Sequence, residues 1–431
     1  MKTSHPVPSP SRLAVLGLIV SSFSLQAGAP EIFELGGMYT YHYRDGRYAD
    51  WGDLAREGAR QAIEEVNASG MLGDDRIRLK PENTIDYHCW PDDAAAMAET
   101  LFKKNILVLT GADCSGPAVE MARVAEEYRI PVISNGANAS ALSATEEFPY
   151  FVRVVTPSEA YEGYLVDVAA HFGIRSVAHL YTTDAWGLGA RDVIQEFGRR
   201  RGVDIALQFG FARDTPYEVI ESHIAEVGRS NITAIMITGP TPDTVAAFKA
   251  IHALGMNRAG YSIFAAEMIS ADESPDAVNG SVGYFAPMTR LLPSKQLAHF
   301  HAALESRLGR VVDDHSKAFF YGALSYDHIF AVGHAIAAVK ASEKTVTPEH
   351  LLSELRRVDF QGATGRVSIQ PGTNDRAAMP IAIMNSHGYK EDGETVHFVP
   401  VGSVDPQTGM LTIDESKILW PGGTQSPPAK H

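Results

Sequence analysis

The chain has 431 residues, 45% hydrophobic and 21% charged, with a formal net charge of −15. Such a length calls for two or three domains with ample apolar material for their cores, and the composition excludes a disordered or fibrous chain. The acidic balance, with no long basic run, excludes an ordinary nucleic-acid binder.

The first 29 residues differ from the rest. Lys2 and Arg12 are the only formal charges before Glu31, an apolar stretch covers 13–25, and Ala27-Gly28-Ala29 follows. A basic start, a short apolar core and a small-residue end read as a secretory signal peptide over 1–29. The stretch is shorter than the roughly 20 residues that cross a bilayer, and no later segment is longer and as apolar. The expected mature product is soluble and periplasmic or secreted. In an oxidising compartment the lone cysteine pair, Cys89 and Cys114, is expected to form a disulfide. Two cysteines cannot complete a four-ligand zinc site, and no CxxC or HExxH occurs, so no metal or cofactor is expected.

From residue 32 onward strand-like and helix-like segments alternate. A strand is expected over 32–37 and an amphipathic helix over 53–67, with Asp53 as its N-cap. Then come a helix over 92–104, a strand over 106–110, a helix over 116–128 and a strand over 131–134. The cycle continues with helices over 159–172, 187–201, 216–228 and 242–254, and strands over 176–181, 205–209, 234–238 and 262–265. Helices over 294–307, 315–341 and 348–357 follow, and the last part turns strand-rich at 366–369, 380–384 and 396–401. This succession predicts an α/β fold with parallel sheets covered by helices on both faces. Residues 422–431 are rich in Gly, Pro and Ser and are expected to fray. There is no GxSxG, no GxxxxGK and no GxGxxG, so nothing argues for an enzyme.

Several pieces, in order and at matching spacings, carry a resemblance. They are Trp51-Gly52, Asp86 with Cys89 and Pro91, Thr110-Gly111-Ala112-Asp113-Cys114-Ser115 and Ile130-Pro131-Val132-Ile133-Ser134. Phe148-Pro149-Tyr150-Phe151-Val152-Arg153, Thr156-Pro157-Ser158, Val177-Ala178-His179-Leu180-Tyr181 with Trp186-Gly187, and Ala323-Leu324-Ser325-Tyr326-Asp327 continue the series. Phe360-Gln361-Gly362-Ala363-Thr364-Gly365 and Trp420-Pro421-Gly422-Gly423 close it, and these last two lean toward receptors. The chain resembles the leucine/isoleucine/valine-binding protein family over nearly its whole mature length. That fold, the type I periplasmic binding fold, is shared with the extracellular ligand domains of natriuretic-peptide, metabotropic glutamate and GABA-B receptors.

The resemblance implies two doubly wound α/β lobes joined by a three-strand hinge. Lobe 1 takes 30–156 and 287–360, lobe 2 takes 157–286 and 361–420, and 421–431 is a flexible tail. A small ligand is implied in the cleft between the lobes. Ser115, at a strand-to-helix junction, would meet a ligand carboxylate beside helix N-terminal amides, and Gly136 and Asn138 fall where family members offer a backbone group and a hydroxyl to the same carboxylate. Asn138 departs from the hydroxyl pattern and would donate through its amide. Trp51 and Trp186 fall where each lobe supplies an aromatic wall. Glu267 falls where members place an acid for the ligand ammonium. The implied function is an extracytoplasmic solute-binding protein for an amino-acid-like ligand, with an ABC permease as its partner. The alternative is the ligand-binding sensor module of a membrane receptor.

Overall fold

A computed structural model of the chain describes Met1 and residues 29–157, 161–269, 274–391, 396–405 and 408–428. Apart from Met1 and Ala29, the expected signal peptide lies outside the described residues, as does Ser158.

The first sheet holds five parallel strands: β1 (Ile32–Tyr39), β2 (Arg76–Asp86), β3 (Val108–Gly111), β4 (Val132–Ser134) and β5 (Phe151–Arg153), in the order β2-β1-β3-β4-β5. Between them run α1 (Asp50–Ala68), α2 (Ala94–Phe102) and α3 (Ser115–Tyr128). The second sheet opens with β6 (Ser176–Thr182), β7 (Asp204–Phe211), β8 (Ala234–Thr238), β9 (Ser262–Ala265) and β10 (Phe285–Thr289), parallel in the order β7-β6-β8-β9-β10. Its helices are α4 (Glu162–His171), α5 (Ala185–Arg201), α6 (Tyr217–Arg229), α7 (Thr241–Ala253) and α8 (Pro275–Gly280). Within each sheet the second strand lies outside the first and the rest follow on the other side. One doubly wound plan is therefore laid down twice, with switch points at β1/β3 and β6/β8. This is the two-lobe type I periplasmic binding fold.

After β10 the chain returns to the first lobe with α9 (Lys295–Leu308), α10 (Lys317–Ala341) and α11 (Pro348–Leu355), α10 lying along α1. A hairpin, β11 (Asp359–Gly362) with β12 (Gly365–Ser368), then leads back to the second sheet, which β13 (Ile381–Tyr389), β14 (Val396–Val404) and β15 (Leu411–Ile413) extend beyond β10, each antiparallel to the strand before it. The crossing expected at 287 falls inside β10, and β10 belongs wholly to the second sheet. At the far end Trp420 packs on Phe172 and Phe285, and its N–H reaches Thr424 O at 2.8 Å. Pro421 is buried, so packing continues past the boundary expected at 421.

Two arginines with no exposed surface tie the crossings together. Arg153 donates through Nε to Asp375 Oδ1 at 2.7 Å, and through its other nitrogens to Ala139 O at 2.9 Å and Ser143 Oγ at 2.6 Å. Arg376 reaches Val154 O at 3.0 Å, Thr364 Oγ1 at 2.7 Å and Arg366 O at 2.9 Å. The first and third crossings are thus one hydrogen-bonded unit, which gives the hinge a fixed base. The helix expected from 53 starts earlier. Ala49 stands at the N-cap of α1, and Asp53 sits inside the first turn paired with Arg56. An acid there still suits the helix dipole. Among the described residues, no helix is long and apolar enough to cross a membrane.

Candidate functional site

The carboxyl ends of both sheets face one cavity of about 110 Å³. Residues just beyond β3, β4, β6, β8 and β9 line it, as open α/β sheets favour. The structure brings all six residues singled out in the sequence to its wall: Trp51, Ser115, Gly136, Asn138, Trp186 and Glu267.

The two Trp-Gly pairs are one device used in both lobes. Gly52 and Gly187 lie in the first turns of α1 and α5, and a Cβ on them would stand 1.6 Å from Thr40 O and 1.9 Å from Thr182 O. Only glycine lets each helix start so close under its strand, and the preceding tryptophan then meets the cleft. Trp51 Nε1 donates to Tyr43 Oη at 2.8 Å and its ring stands 4.8 Å from that of Tyr321. Trp186 Nε1 donates to the buried Glu162 Oε1 at 2.7 Å. Both walls are fixed by their own hydrogen bonds.

On the first lobe, Ser115 opens α3. Its Oγ accepts from Asn138 N and Ala139 N, both at 3.1 Å, and donates to Asn138 Oδ1 at 3.3 Å. Gly136 N–H is taken by Ser134 Oγ at 3.2 Å. The loop amides expected to face a carboxylate are thus already bonded to serine hydroxyls. Around Ser115 the donors without a hydrogen bond among the described residues are the first-turn amides Ser115 N and Gly116 N and the Asn138 carboxamide nitrogen, while the buried Asp113 Oδ1 is an acceptor without one. Unpaired first-turn amides carry the positive end of the helix dipole. Asp184, across the cleft, caps α5 through Gly187 N at 2.9 Å, and its Oδ2 is 3.9 Å from where a Cβ on Gly116 would sit.

On the second lobe Glu267 follows β9. Its Oε1 takes the Thr241 hydroxyl at 2.9 Å and forms an ion pair with Lys317, whose ammonium also donates to Thr241 Oγ1 at 2.9 Å. Lys317 Nζ lies 5.1 Å from the centre of the Trp51 ring, within cation–π range. The acid expected to take a ligand ammonium therefore holds a protein ammonium on one oxygen. The other, Oε2, carries no hydrogen bond among the described residues. Burial pulls the Lys317 pKa below its ordinary value, while the charge of Asp50 works the other way. Beneath the cleft, burial pushes the Asp113 carboxyl up to about 7 although Thr40 N donates to it at 2.9 Å. Cys89 and Cys114 are bonded, with Cα atoms 5.5 Å apart, and both line the cavity.

Sequence reasoning missed Lys317, Arg213, Tyr321 and Thr241. For Lys317 a signal existed: it is the first residue of a long apolar helix, where the dipole disfavours a cation. A lysine placed there calls for an acidic partner elsewhere.

Residues 54–388 match the family described as receptor family ligand binding region. The chain belongs to this family. It is a family of ligand-binding regions, not of enzymes, and it includes both binding-protein and receptor relatives. The chain is 24% identical over 371 residues to metabotropic glutamate receptor-like protein E of Dictyostelium discoideum, covering 82% of this chain and 44% of that one. It is 21% identical over 445 residues to glutamate receptor 3.1 of rice, covering 93% and 46%. An amino acid binding protein of Pseudomonas aeruginosa is 23% identical over 292 residues, covering 65% and 75%. This receptor-family ligand-binding region thus spans less than half the length of the two receptor relatives.

Proposed function

We propose that the chain captures a small amino-acid-like solute between its lobes. The observation that carries this is a pair of unfilled seats across one small cavity. The first-turn amides of α3 with Asn138 suit a carboxylate, and Glu267 Oε2 suits an ammonium. Trp51 and Trp186 would wall the side chain. The cavity size favours a free solute over a peptide. Similarity to an amino acid binding protein supports this capture, and delivery to a permease, by an exported protein with a signal peptide over 1–29, is the role we propose for it. Similarity to glutamate receptors supports the second reading, a sensor module.

The test is calorimetry against a panel of amino acids, amides, urea and polyamines, followed by a cycle on Glu267. For the amino acid that binds, Glu267→Gln is expected to weaken affinity by about 1.5–3 kcal/mol, the range for hydrogen bonds to charged groups. Ser115→Ala is expected to cost less, since the helix amides remain. The deaminated analogue should bind the native protein weakly and lose little more on Glu267→Gln, because both changes remove one contact. Additive losses would mean that Glu267 does not touch the ammonium. A panel in which only neutral solutes bind would overturn the zwitterion reading.

A further inference from the structure

At the mouth of the cleft, away from the hinge, one side chain of the second lobe grips the first. Arg213 follows β7, and Asp214 beside it takes a left-handed backbone, φ 61°. The Arg213 side chain is 9% exposed. Its Nη1 donates to the Cys89 carbonyl, and its guanidinium carbon lies 5.0 Å from the centre of the Trp90 ring. Arg44, of the first lobe, lies 4.5 Å from the same ring and 4.0 Å from Asp214 of the second. Asp243 Oδ2, at 3.9 Å, is the carboxylate nearest the Arg213 Nε, and that nitrogen has no hydrogen-bond partner among the described residues.

We propose that Arg213 is a closing clasp that sets how much of the ligand-free protein has its lobes shut. The contact joins a carbonyl and an indole of one lobe to a planar cation of the other. It can exist only when the cleft is closed, so whatever it contributes goes wholly to the closed state. A planar guanidinium can stack on the indole and donate to the carbonyl at once, which an ammonium cannot. The Cys89 carbonyl is a fixed target. His88 and Cys89 both hold left-handed backbone, φ 57° and 54°, and the bond to Cys114 pins the turn to the start of α3. Apparent affinity for any cleft ligand scales with the closed, competent fraction. Arg213 thereby acts as a positioning residue, tuning affinity without being part of the carboxylate or ammonium seats.

Small-angle scattering of the ligand-free protein tests this and needs no ligand, so its failure is distinct from failure of the amino-acid reading. The native protein is expected to scatter as a mixture of open and closed forms. Arg213→Ala is expected to lower the closed-to-open ratio about tenfold, the factor given by about 1.4 kcal/mol, and to raise the radius of gyration. Trp90→Ala should do the same, and the double variant should add little. Arg213→Lys, which keeps the charge and the fold, should also open the protein. Arg199→Ala, removing an exposed cation of the same lobe that pairs with Glu196, should change nothing. Arg213→Ala and Arg213→Lys profiles identical to the native one would overturn the proposal.

Discussion

Asp327→Ala is expected to destabilise the protein by about 3–5 kcal/mol, the range for removing one partner from a buried charged network. Asp327 lies in α10 with no exposed surface. Its carboxylate accepts Ala363 N at 2.7 Å, Thr364 N at 2.8 Å and the Thr364 hydroxyl, and that hydroxyl oxygen in turn accepts from Arg376. Truncation leaves three buried donors without an acceptor and removes the negative charge nearest a buried guanidinium. Gly362 records how tightly the loop is drawn in, since a Cβ there would stand 2.4 Å from Asp327 Oδ1. Burial raises the Asp327 pKa above 3.8, with Arg376 and the loop amides pulling the other way. Its two acceptor oxygens meet the donors of the 363–364 turn. Asp327→Asn keeps one such oxygen and should cost less than the alanine variant. A carboxyl raised in the folded state holds its proton above the pH at which the unfolded chain releases it. Its contribution to stability falls as pH rises from 3.8 through the folded pKa. The native-minus-Asp327→Asn difference should thus be largest in acid and shrink toward neutrality. Urea unfolding at several pH values measures both effects. A loss below about 1 kcal/mol on Asp327→Ala would show that the network does not depend on this carboxylate.

The same network marks where the sequence stopped being legible. Alternating periodicity placed most helices and buried strands to within a few residues, because those segments pack against their own lobe and carry a local pattern. β2 escaped notice. It is an edge strand carrying Arg76, Arg78, Lys80 and Glu82 with Pro81 at its centre, the features that shield an exposed edge. β10 escaped because Pro287 breaks a five-residue run. Both Ala323–Asp327 and Phe360–Gly365 stood out in the sequence, yet nothing local says that the carboxylate of one holds the amides of the other.

Cleft residues divide in the same way. Ser115, Gly136, Asn138, Trp51, Trp186 and Glu267 all sit just beyond strands or at helix starts, where small, polar or aromatic residues interrupt an apolar pattern. Their position is a local property of strand-helix junctions. Lys317 and Arg213 instead owe their places to partners 50 and 124 residues away. A cation whose partner belongs to the other lobe, a carboxylate for Lys317 and a carbonyl for Arg213, leaves no spacing to read. Its burial, against the rule for charged residues, becomes visible only once the lobes are assembled.

The second large effect is expected on replacing both Cys89 and Cys114 by serine. The bond closes a separation of 25 residues, for which loss of unfolded-chain entropy gives about 3.5 kcal/mol. Denaturant unfolding of the double variant against the oxidised native protein should return a loss of that order. The bond has a local task as well. His88 and Cys89 hold left-handed backbone, which costs a residue with a side chain about 1–2 kcal/mol each. Cut free from α3, these two residues gain by relaxing, and the Cys89 carbonyl then leaves the place where Arg213 meets it. Two readouts should therefore move together: global stability falls, and the ligand-free protein opens as Arg213→Ala does. The amide hydrogens of Tyr87, His88 and Trp90 should lose exchange protection in the double variant while those of β4 keep theirs. A variant that is less stable yet scatters as the native protein does would assign the bond a purely entropic role and leave Arg213 holding a turn that keeps its own shape. Native protein with two alkylatable thiols would remove the bond, and this argument with it.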